Sequence, residues 1–362
     1  MTSKAFVRPG DRPCPDDRAP ASESQFVRAC KGQPTDCTPV WLMRQAGRFI
    51  PEYRQLRARL GFLELCKKPD LAAELTVMAV EKLGVDAGII FADILLPLEA
   101  LGVGLEYAGG EGPVIGRPLR CREDLSRLRL FEPADSLSFV LEAIGLARSG
   151  LPATTPLIGF AGAPFTLASY LVEGGASRHF ENTKRLMYTD RSCWHELMRL
   201  LSQLTADYLN AQVAHGVQAV QLFDSWVGCL SQADYREFVL PYTKQTIAAL
   251  SATVPLIHFG TGTAHLLELM LEAGGDVIGL DWRVSLSAAW ARLGERVAVQ
   301  GNLDPVVLLA DQAEIKRQTR RILLEAGGKP GHVFNLGHGV LPTTPVDNVR
   351  FLVDTVHELG GR

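Results

Sequence analysis

Residues 219–260 read AVQLFDSWVGCLSQADYREFVLPYTKQTIAALSATVPLIHFG and carry the pattern that decides the fold. Two short apolar runs, AVQLFDS (219–225) and PLIHFG (255–260), flank a segment whose apolar residues have helical spacing. Neither run alternates apolar with polar residues, which is typical of strands buried on both faces of a parallel sheet. The repeating unit is therefore a strand, a helix and a second strand.

The same unit recurs along the chain. Six further apolar runs are bounded by turn residues: PVWLM (39–43), DAGIIFA (86–92), PLIGFAG (156–162), DVIGLDW (276–282), VAVQGN (297–302) and HVFNLG (332–337). Helical patterns lie between them, and several end in glycine, the residue that favours a helix C-cap. Eight strands alternating with helices predict a (β/α)8 TIM-type barrel with an active-site cleft at the C-terminal ends of the strands. A doubly wound parallel sheet is the alternative.

The domain organisation follows from composition. The 362 residues are 47% hydrophobic and 21% charged, which fits a globular protein and excludes a mainly disordered chain. Residues 1–22 are polar and rich in proline and charge, so we expect a flexible tail, and residues 23–362 are predicted to form a single domain. The insertion EYAGGEGPVIGRPLR (106–120) predicts a hairpin placed on the barrel.

Charge and cysteine content limit the partners and the compartment. The formal net charge of −3 provides no overall positive field, so we expect no nucleic-acid partner. Seven widely spread cysteines without a CxxC pair argue against a disulfide scaffold and a zinc ribbon. The most apolar stretch is interrupted by Asp93 and Glu99, and the N-terminus lacks an apolar signal segment. We therefore expect a cytoplasmic protein without a membrane segment.

Arginines follow the first predicted strand. Arg44 comes directly after PVWLM, Arg48 lies four residues on, and Arg54 and Arg57 follow. Guanidinium groups bind carboxylates through paired hydrogen bonds, so this cluster predicts an anion site. A solvated basic helix face is the alternative, and the position of Arg44 at a strand end disfavours it.

Other polar residues stand at or near strand ends. Asp93 lies among apolar neighbours in IIFADILLP, where it could accept hydrogen bonds from a ligand N–H, or cap a helix or pair with an arginine. Tyr170 could bind a ligand carboxylate or be a core aromatic residue. Ser225 could donate to an anion, although serine is common there, and His338 lies between two glycines that allow a close approach.

Common catalytic motifs are absent from the sequence. It contains no HExxH, no GxxxxGK[ST], no GxGxxG after a strand and no GxSxG. We therefore expect neither a metal nor a nucleotide cofactor. Arginines with an aspartate suggest acid–base chemistry on an anionic substrate.

The chain contains two long and specific blocks, TPVWLMRQAGRFIPEYR (38–54) and GFAGAPFTLASYLVEGG (159–175). Both blocks resemble the uroporphyrinogen decarboxylase family. Shorter blocks follow the order of the family: FADIL (91–95), QLFDSWVG (221–228), HFGTG (258–262), GLDWRV (279–284), QGNLDP (300–305) and FNLGHGVLP (334–342). The resemblance covers the chain from about residue 24 onward.

The resemblance implies a (β/α)8-barrel enzyme of haem and other tetrapyrrole synthesis. Such an enzyme removes the carboxyl groups of the four acetate side chains of uroporphyrinogen III, which gives coproporphyrinogen III and CO2. It does so without a metal or an organic cofactor. The resemblance also implies a homodimer.

The resemblance also implies the site residues. Asp93 and Arg44 are the implied catalytic residues, and Asp93 would accept hydrogen bonds from the pyrrole N–H groups. The implied substrate-binding residues are Arg44, Gln45, Ala46, Gly47, Arg48, Arg57, Asp93, Tyr170, Phe223, Ser225 and His338. The proton donor stays open among Arg44, a water held by Arg44, and His338.

Two other functions compete with this interpretation. A corrinoid-linked methyltransferase of the same superfamily would bind zinc through a His-x-Cys pair, but the equivalent stretch here reads His258-Phe-Gly260. A non-catalytic tetrapyrrole-binding protein would bind without releasing CO2. The presence together of four residues disfavours it: Arg44, Asp93, Tyr170 and His338.

Overall fold

A parallel sheet forms the centre of the molecule. The computed structural model describes residues 19–108, 112–251, 253–294 and 296–361. Seven strands of the described residues pair in parallel in the order β1-β4-β5-β6-β7-β8-β9, and a separate antiparallel hairpin comprises β2 and β3. The strands are β1 (Gly88–Ile89), β2 (Leu105–Ala108), β3 (Gly112–Ile115), β4 (Leu157–Gly162), β5 (Ala219–Asp224), β6 (Leu256–Gly260), β7 (Val277–Gly279), β8 (Ala298–Gln300) and β9 (His332–Val333).

Residues 39–43 join the two ends of this sheet. Phe334 N donates to Pro39 O at 2.8 Å, and Trp41 N donates to Phe334 O at 3.3 Å. On the other side, Asp86 N donates to Val40 O at 2.8 Å. The segment forms a parallel bridge between Val40 and Phe334 rather than a regular strand. It takes the place of the first predicted strand, so the fold is the predicted barrel and not an open doubly wound sheet.

Helices surround the sheet. The described residues form α1 (Gln25–Cys30), α2 (Pro51–Arg57), α3 (Phe62–Cys66), α4 (Pro69–Leu83), α5 (Leu96–Ala100), α6 (Arg122–Leu125), α7 (Pro133–Ser136), α8 (Ser138–Gly150), α9 (Pro164–Glu173), α10 (Glu181–Thr189), α11 (Arg191–Ala214), α12 (Gln232–Phe238), α13 (Leu240–Ala248), α14 (Leu267–Ala273), α15 (Leu286–Leu293), α16 (Gln312–Ala326) and α17 (Val346–Leu359). No helix among the described residues is both long and apolar enough to cross a membrane.

Local sequence explains where these helices begin and end. Helices α4 and α9 begin with proline, which lacks the N–H that a first turn leaves unpaired. Both end at a glycine in the left-handed region, Gly84 at φ 71° and Gly174 at φ 86°. In α16, the Asp311 side chain accepts a hydrogen bond from Glu314 N at 2.9 Å. The breaks between strands and helices are thus encoded locally.

Polar side chains link three strand positions inside the barrel. Trp41 Nε1 donates to Gln300 Oε1 at 2.9 Å, and Gln300 Nε2 donates to Gln221 Oε1 at 3.0 Å. All three residues are buried. The bonds connect β5 and β8 to the closing segment 39–43.

The predicted hairpin is present next to the barrel. Leu105 pairs with Ile115, and the antiparallel ladder ends at the pair Ala108–Gly112. The Tyr107 ring lies edge-on to the Phe62 ring on α3, with the centroids 4.8 Å apart. The hairpin therefore brings an aromatic hydroxyl towards the strand ends of the barrel.

The N-terminal tail prediction lies mostly outside the described residues, since residues 1–18 are not among them. Ala21 is buried, and its N–H donates to Ala153 O at 2.9 Å. Packed structure therefore already exists before residue 23.

Candidate active site

Residues 44–48, which follow the closing segment 39–43, form a tight turn rather than a helix, and α2 begins only at Pro51. Arg44 has a positive φ of 62°. The buried Gln45 side chain accepts from Leu42 N at 3.1 Å and donates to Ala87 O at 3.1 Å. At Gly47, a Cβ would lie 2.6 Å from Arg44 O, so a larger residue would collide with the backbone. The turn leaves Ala46 and Gly47 half-buried.

The predicted arginines have different roles. Arg44 and Arg48 are exposed. Arg54 Nη1 instead donates to the carbonyls of Arg48 and Phe49, at 3.0 and 2.9 Å, and so braces the turn. Arg57 donates to Leu60 O, and its guanidinium lies 5.7 Å from the centroid of the Phe62 ring.

Asp93 is half-buried where the chain leaves β1 and approaches α5. Its Oδ1 accepts from Leu95 N at 2.8 Å, and its carboxylate also accepts from the Tyr107 hydroxyl. Burial raises the pKa of Asp93, and the two hydrogen bonds and the Arg44 charge oppose that rise. The carboxylate therefore has a cation and two donors close by.

Tyr170 lies in α9 and shares this cleft. Burial and the nearby Asp93 charge raise the pKa of Tyr170 to about 12, while hydrogen bonding from Trp226 and the Arg44 charge lower it. The Tyr170 and Trp226 rings are 5.8 Å apart. The phenol is therefore neutral at neutral pH and can act as a hydrogen-bond donor.

The end of β5 provides an apolar surface beside the polar groups. The partly exposed Phe223 packs edge-on against Phe160 and Phe259, with ring centroids 5.6 and 5.9 Å away. Ser225 follows in a turn and is half-buried. Both predicted residues thus lie at a strand end.

Asp224, between them, faces away from the barrel axis. It is buried, its Oδ1 accepts from Thr166 Oγ1 at 3.0 Å, and burial raises its pKa to about 7. Thr166 Oγ1 in turn accepts from Trp226 N at 3.4 Å. Asp224 therefore positions the residue that donates to Tyr170.

His338 lies in the loop after β9, between two close approaches of the backbone. A Cβ on Gly337 would lie 2.5 Å from Trp282 N, and one on Gly339 would lie 2.4 Å from Arg44 Cδ. The two glycines therefore accommodate neighbouring protein groups. Burial, followed by the charges of Arg44 and Arg283, lowers the pKa of His338 to about 4.

The structure thus brings Arg44, Asp93 and Tyr170 together and places His338 against Arg44. His258, in the middle of β6, is buried, and burial lowers its pKa to about 4. Neither of its ring nitrogens has a hydrogen-bond partner within the described part of the chain. Among the described residues, no group of three or more His, Cys, Asp or Glu side chains could hold a metal ion.

Sequence reasoning missed three residues of this cleft: Tyr107, Trp226 and Arg283. Tyr107 comes from the inserted hairpin, and nothing in the strand-end pattern points to it. Trp226 and Arg283 directly follow predicted strand-end residues, Ser225 and the run that ends at 282, so extending those runs would have found them.

Comparisons with known proteins identify the family of the chain. The uroporphyrinogen decarboxylase family matches residues 21–359. A uroporphyrinogen decarboxylase from Sorangium cellulosum is 56% identical over 336 residues, which cover 92% of this chain and 96% of that protein. One from Carboxydothermus hydrogenoformans is 53% identical over 335 residues, with coverage of 92% and 96%.

Solved structures support the fold. A methyltransferase from Methanosarcina mazei aligns with a TM-score of 0.79 at 22% identity, over 94% of this chain and 99% of that one. At this identity the likeness concerns the fold alone. The match over residues 21–359 and the close relatives decide the family: the chain belongs to the uroporphyrinogen decarboxylase family.

Proposed function

We propose that the protein decarboxylates the four acetate side chains of uroporphyrinogen III to give coproporphyrinogen III and CO2. The observation that carries this proposal is Asp93, a partly buried carboxylate at a strand end, with Arg44 and Tyr107 beside it. Membership of the family supports the same reaction, as do the two relatives, which are both named uroporphyrinogen decarboxylase.

The substrate itself can accept the electrons that decarboxylation releases. A proton adds to the ring α-carbon next to the carbon that bears the acetate, and the positive charge is shared between the acetate-bearing carbon and the pyrrole nitrogen. The C–C bond to the carboxylate then breaks, CO2 leaves, and its electron pair neutralises the ring. A second proton adds to the exocyclic carbon and a ring proton is lost, so each acetate becomes a methyl group with a net uptake of one proton.

Asp93 stabilises the charge that this sequence creates. Its carboxylate accepts hydrogen bonds from pyrrole N–H groups and faces the positive charge that develops on the ring. Donors fixed before the reaction, such as Leu95 N, hold the carboxylate in place without reorganisation. Removal of one preorganised group that stabilises transition-state charge typically costs about 3–4 kcal/mol.

The other side chains bind and orient the substrate. Arg44, Arg48 and Arg57 bind peripheral carboxylates, for which paired guanidinium donors are suited. The neutral Tyr170, Ser225 and His338 donate hydrogen bonds to the remaining ones. Phe223 packs against the apolar ring edge, and Gln45, Ala46 and Gly47 shape the turn that carries the arginines.

Arg44, or a water held by it, supplies the proton to the ring carbon. His338 is a poorer candidate because its pKa of about 4 leaves the imidazole neutral at neutral pH. A guanidinium group is a weak acid, so a water polarised by Arg44 completes the transfer.

We extend the proposal to the setting of the enzyme. It is a cytoplasmic homodimer that needs no metal or organic cofactor, and residues 23–362 belong to the catalytic domain. The homodimer is proposed on the family resemblance.

The decisive experiment is incubation of the purified chain with uroporphyrinogen III under anaerobic conditions, followed by oxidation and chromatography. We expect porphyrins with seven, six, five and finally four carboxyl groups. Binding without loss of carboxyl groups would reject the decarboxylase in favour of a tetrapyrrole carrier.

A further inference from the structure

Arg283 is a guanidinium at the cleft that the proposed mechanism does not use. It follows β7, and its Nη1 donates to Asp281 Oδ2 at 2.6 Å. The guanidinium lies 4.0 Å from the centroid of the Trp282 ring. An ion pair on one side and an aromatic face on the other hold the group in one orientation.

Asp281 does not require the arginine for its own hydrogen bonding. Its Oδ2 also accepts from Gly262 N at 2.6 Å, and its Oδ1 accepts from Arg283 N at 2.9 Å. Two backbone donors thus already satisfy this buried carboxylate. The ion pair orients Arg283 more than it stabilises Asp281.

One edge of the guanidinium is unused. Within the described part of the chain, Nε and Nη2 of Arg283 have no hydrogen-bond partner, and half of the side chain is exposed. Carboxylates bind this edge through two parallel hydrogen bonds. Arg292 shows the filled arrangement in the same protein, since its Nε and Nη2 donate to the two Glu268 oxygens at 2.8 and 2.7 Å.

The position of Arg283 relates it to the proposed substrate-binding residues. The backbone at Trp282 approaches Gly337 closely. Arg283 directly follows Trp282 in the sequence, and His338 directly follows Gly337. The charge of Arg283 acts on His338 together with that of Arg44. The charges of two guanidinium groups therefore act on His338, that of Arg44 after the closing segment 39–43 and that of Arg283 after β7.

We propose that Arg283 is a further substrate-binding residue, which holds one peripheral carboxylate of the tetrapyrrole on its free Nε–Nη2 edge beside His338. This inference rests on the proposed function for the identity of the carboxylate-bearing ligand. The oriented guanidinium with an unused edge is what points to it.

The test measures binding and turnover separately. In Arg283→Gln, the charge is lost, while the side chain can still donate to Asp281. We expect KM for uroporphyrinogen III to rise about tenfold with kcat changed less than about twofold, as for loss of one charge-assisted pair. Arg283→Lys should recover part of the loss, and the increase of KM with added NaCl should become shallower in Arg283→Gln.

Arg292→Gln is the matched control. It removes an arginine of similar exposure whose paired edge is already occupied by Glu268. We expect its KM to equal that of the unmodified protein. Thermal unfolding of each variant shows whether a change in KM reflects lost structure.

Equilibrium titration with uroporphyrin III, the stable oxidised octacarboxylate, followed by tryptophan fluorescence, tests binding without turnover. Weaker binding in Arg283→Gln than in Arg292→Gln supports the inference even if the unmodified chain releases no CO2, a result that would reject the proposed function alone. Unchanged KM, salt dependence and titration in Arg283→Gln overturn the inference and leave the decarboxylase standing.

Discussion

Arg44 adopts a backbone conformation that residues other than glycine rarely populate. Such a conformation costs about 1–3 kcal/mol and persists only where the surroundings fix it. The bonds of Gln45 to Leu42 and Ala87 fix one side of the turn, and Gly47 leaves room for the Arg44 carbonyl. The strain is therefore located at the residue that the proposed reaction uses both to bind substrate and to deliver a proton.

Asp93→Asn tests the electrostatic role of the carboxylate. The substitution keeps the shape but removes the negative charge, so we expect kcat to fall at least about 100-fold. Because burial disfavours the charged form of Asp93, its loss should leave the melting temperature unchanged or slightly higher. Turnover is measured by chromatography of the oxidised products, and near-normal turnover would contradict the assigned role.

Tyr107→Phe tests the contact between the hairpin and Asp93. The Tyr107 hydroxyl lowers the pKa of Asp93, so its removal should raise that pKa. If the reaction needs ionised Asp93, the acidic limb of the kcat/KM profile then moves to higher pH, and activity at alkaline pH changes little. Tyr188→Phe, which removes an exposed hydroxyl bonded to Asp234, is the control and should leave the profile in place.

At the scale of elements, the loop that contains Gly337, His338 and Gly339 packs against the residues that follow two other strands of the barrel. Gly337 contacts the segment after β7, and Gly339 contacts the side chain of Arg44. The sequence indicated the two glycines and the histidine. It could not indicate which groups approach them, because Gly339 meets Arg44 almost 300 residues away in sequence and Gly337 meets Trp282 about 55 residues away.

Gly339→Ala tests this packing. An added Cβ would overlap Arg44 Cγ and Cδ, at 2.7 and 2.4 Å, and the arginine side chain can move more readily than the backbone. We expect KM to rise about tenfold or more with little change in the melting temperature. Gly145→Ala, in α8 with nothing near the added Cβ, should instead stabilise the protein by about 0.5–1 kcal/mol and leave KM unchanged. Equal KM values in the two variants would contradict the proposed packing.

The elements themselves were largely predictable. Each of the eight apolar runs lies at a position of the barrel wall, because fully buried parallel strands need continuous apolar sequence. The glycines within residues 106–120 predicted the hairpin. The contact of Tyr107 with Asp93 and the free edge of Arg283 were not predictable, since local pattern sets the element and tertiary packing sets the neighbours of each side chain.

At the scale of the whole molecule, Asp224 makes stability depend on pH. Its pKa is about 7 in the folded chain, whereas an unfolded aspartate titrates near 4. The folded state therefore holds a proton that the unfolded state has lost, and stability falls as pH rises from about 4 to 7, by up to about 1.4 kcal/mol per pH unit from this group. Above pH 7 the contribution is constant.

Asp224→Asn should remove this contribution while keeping an acceptor for Thr166. We expect the variant to gain stability relative to the unmodified chain as pH rises from 4 to 7, with a plateau above. Urea unfolding at several pH values measures the difference. A stability difference between the two proteins that stays constant from pH 4 to 7 would show that the Asp224 carboxyl is already ionised in the folded chain across that range.

The closing segment 39–43 runs directly into the turn that carries Arg44, so one continuous stretch of chain both completes the barrel and binds the anion. Local opening of this segment would also displace Arg44 from a bound ligand. Amide hydrogen exchange at Trp41 should consequently slow when a polycarboxylate is bound, because the bound ligand disfavours that local opening.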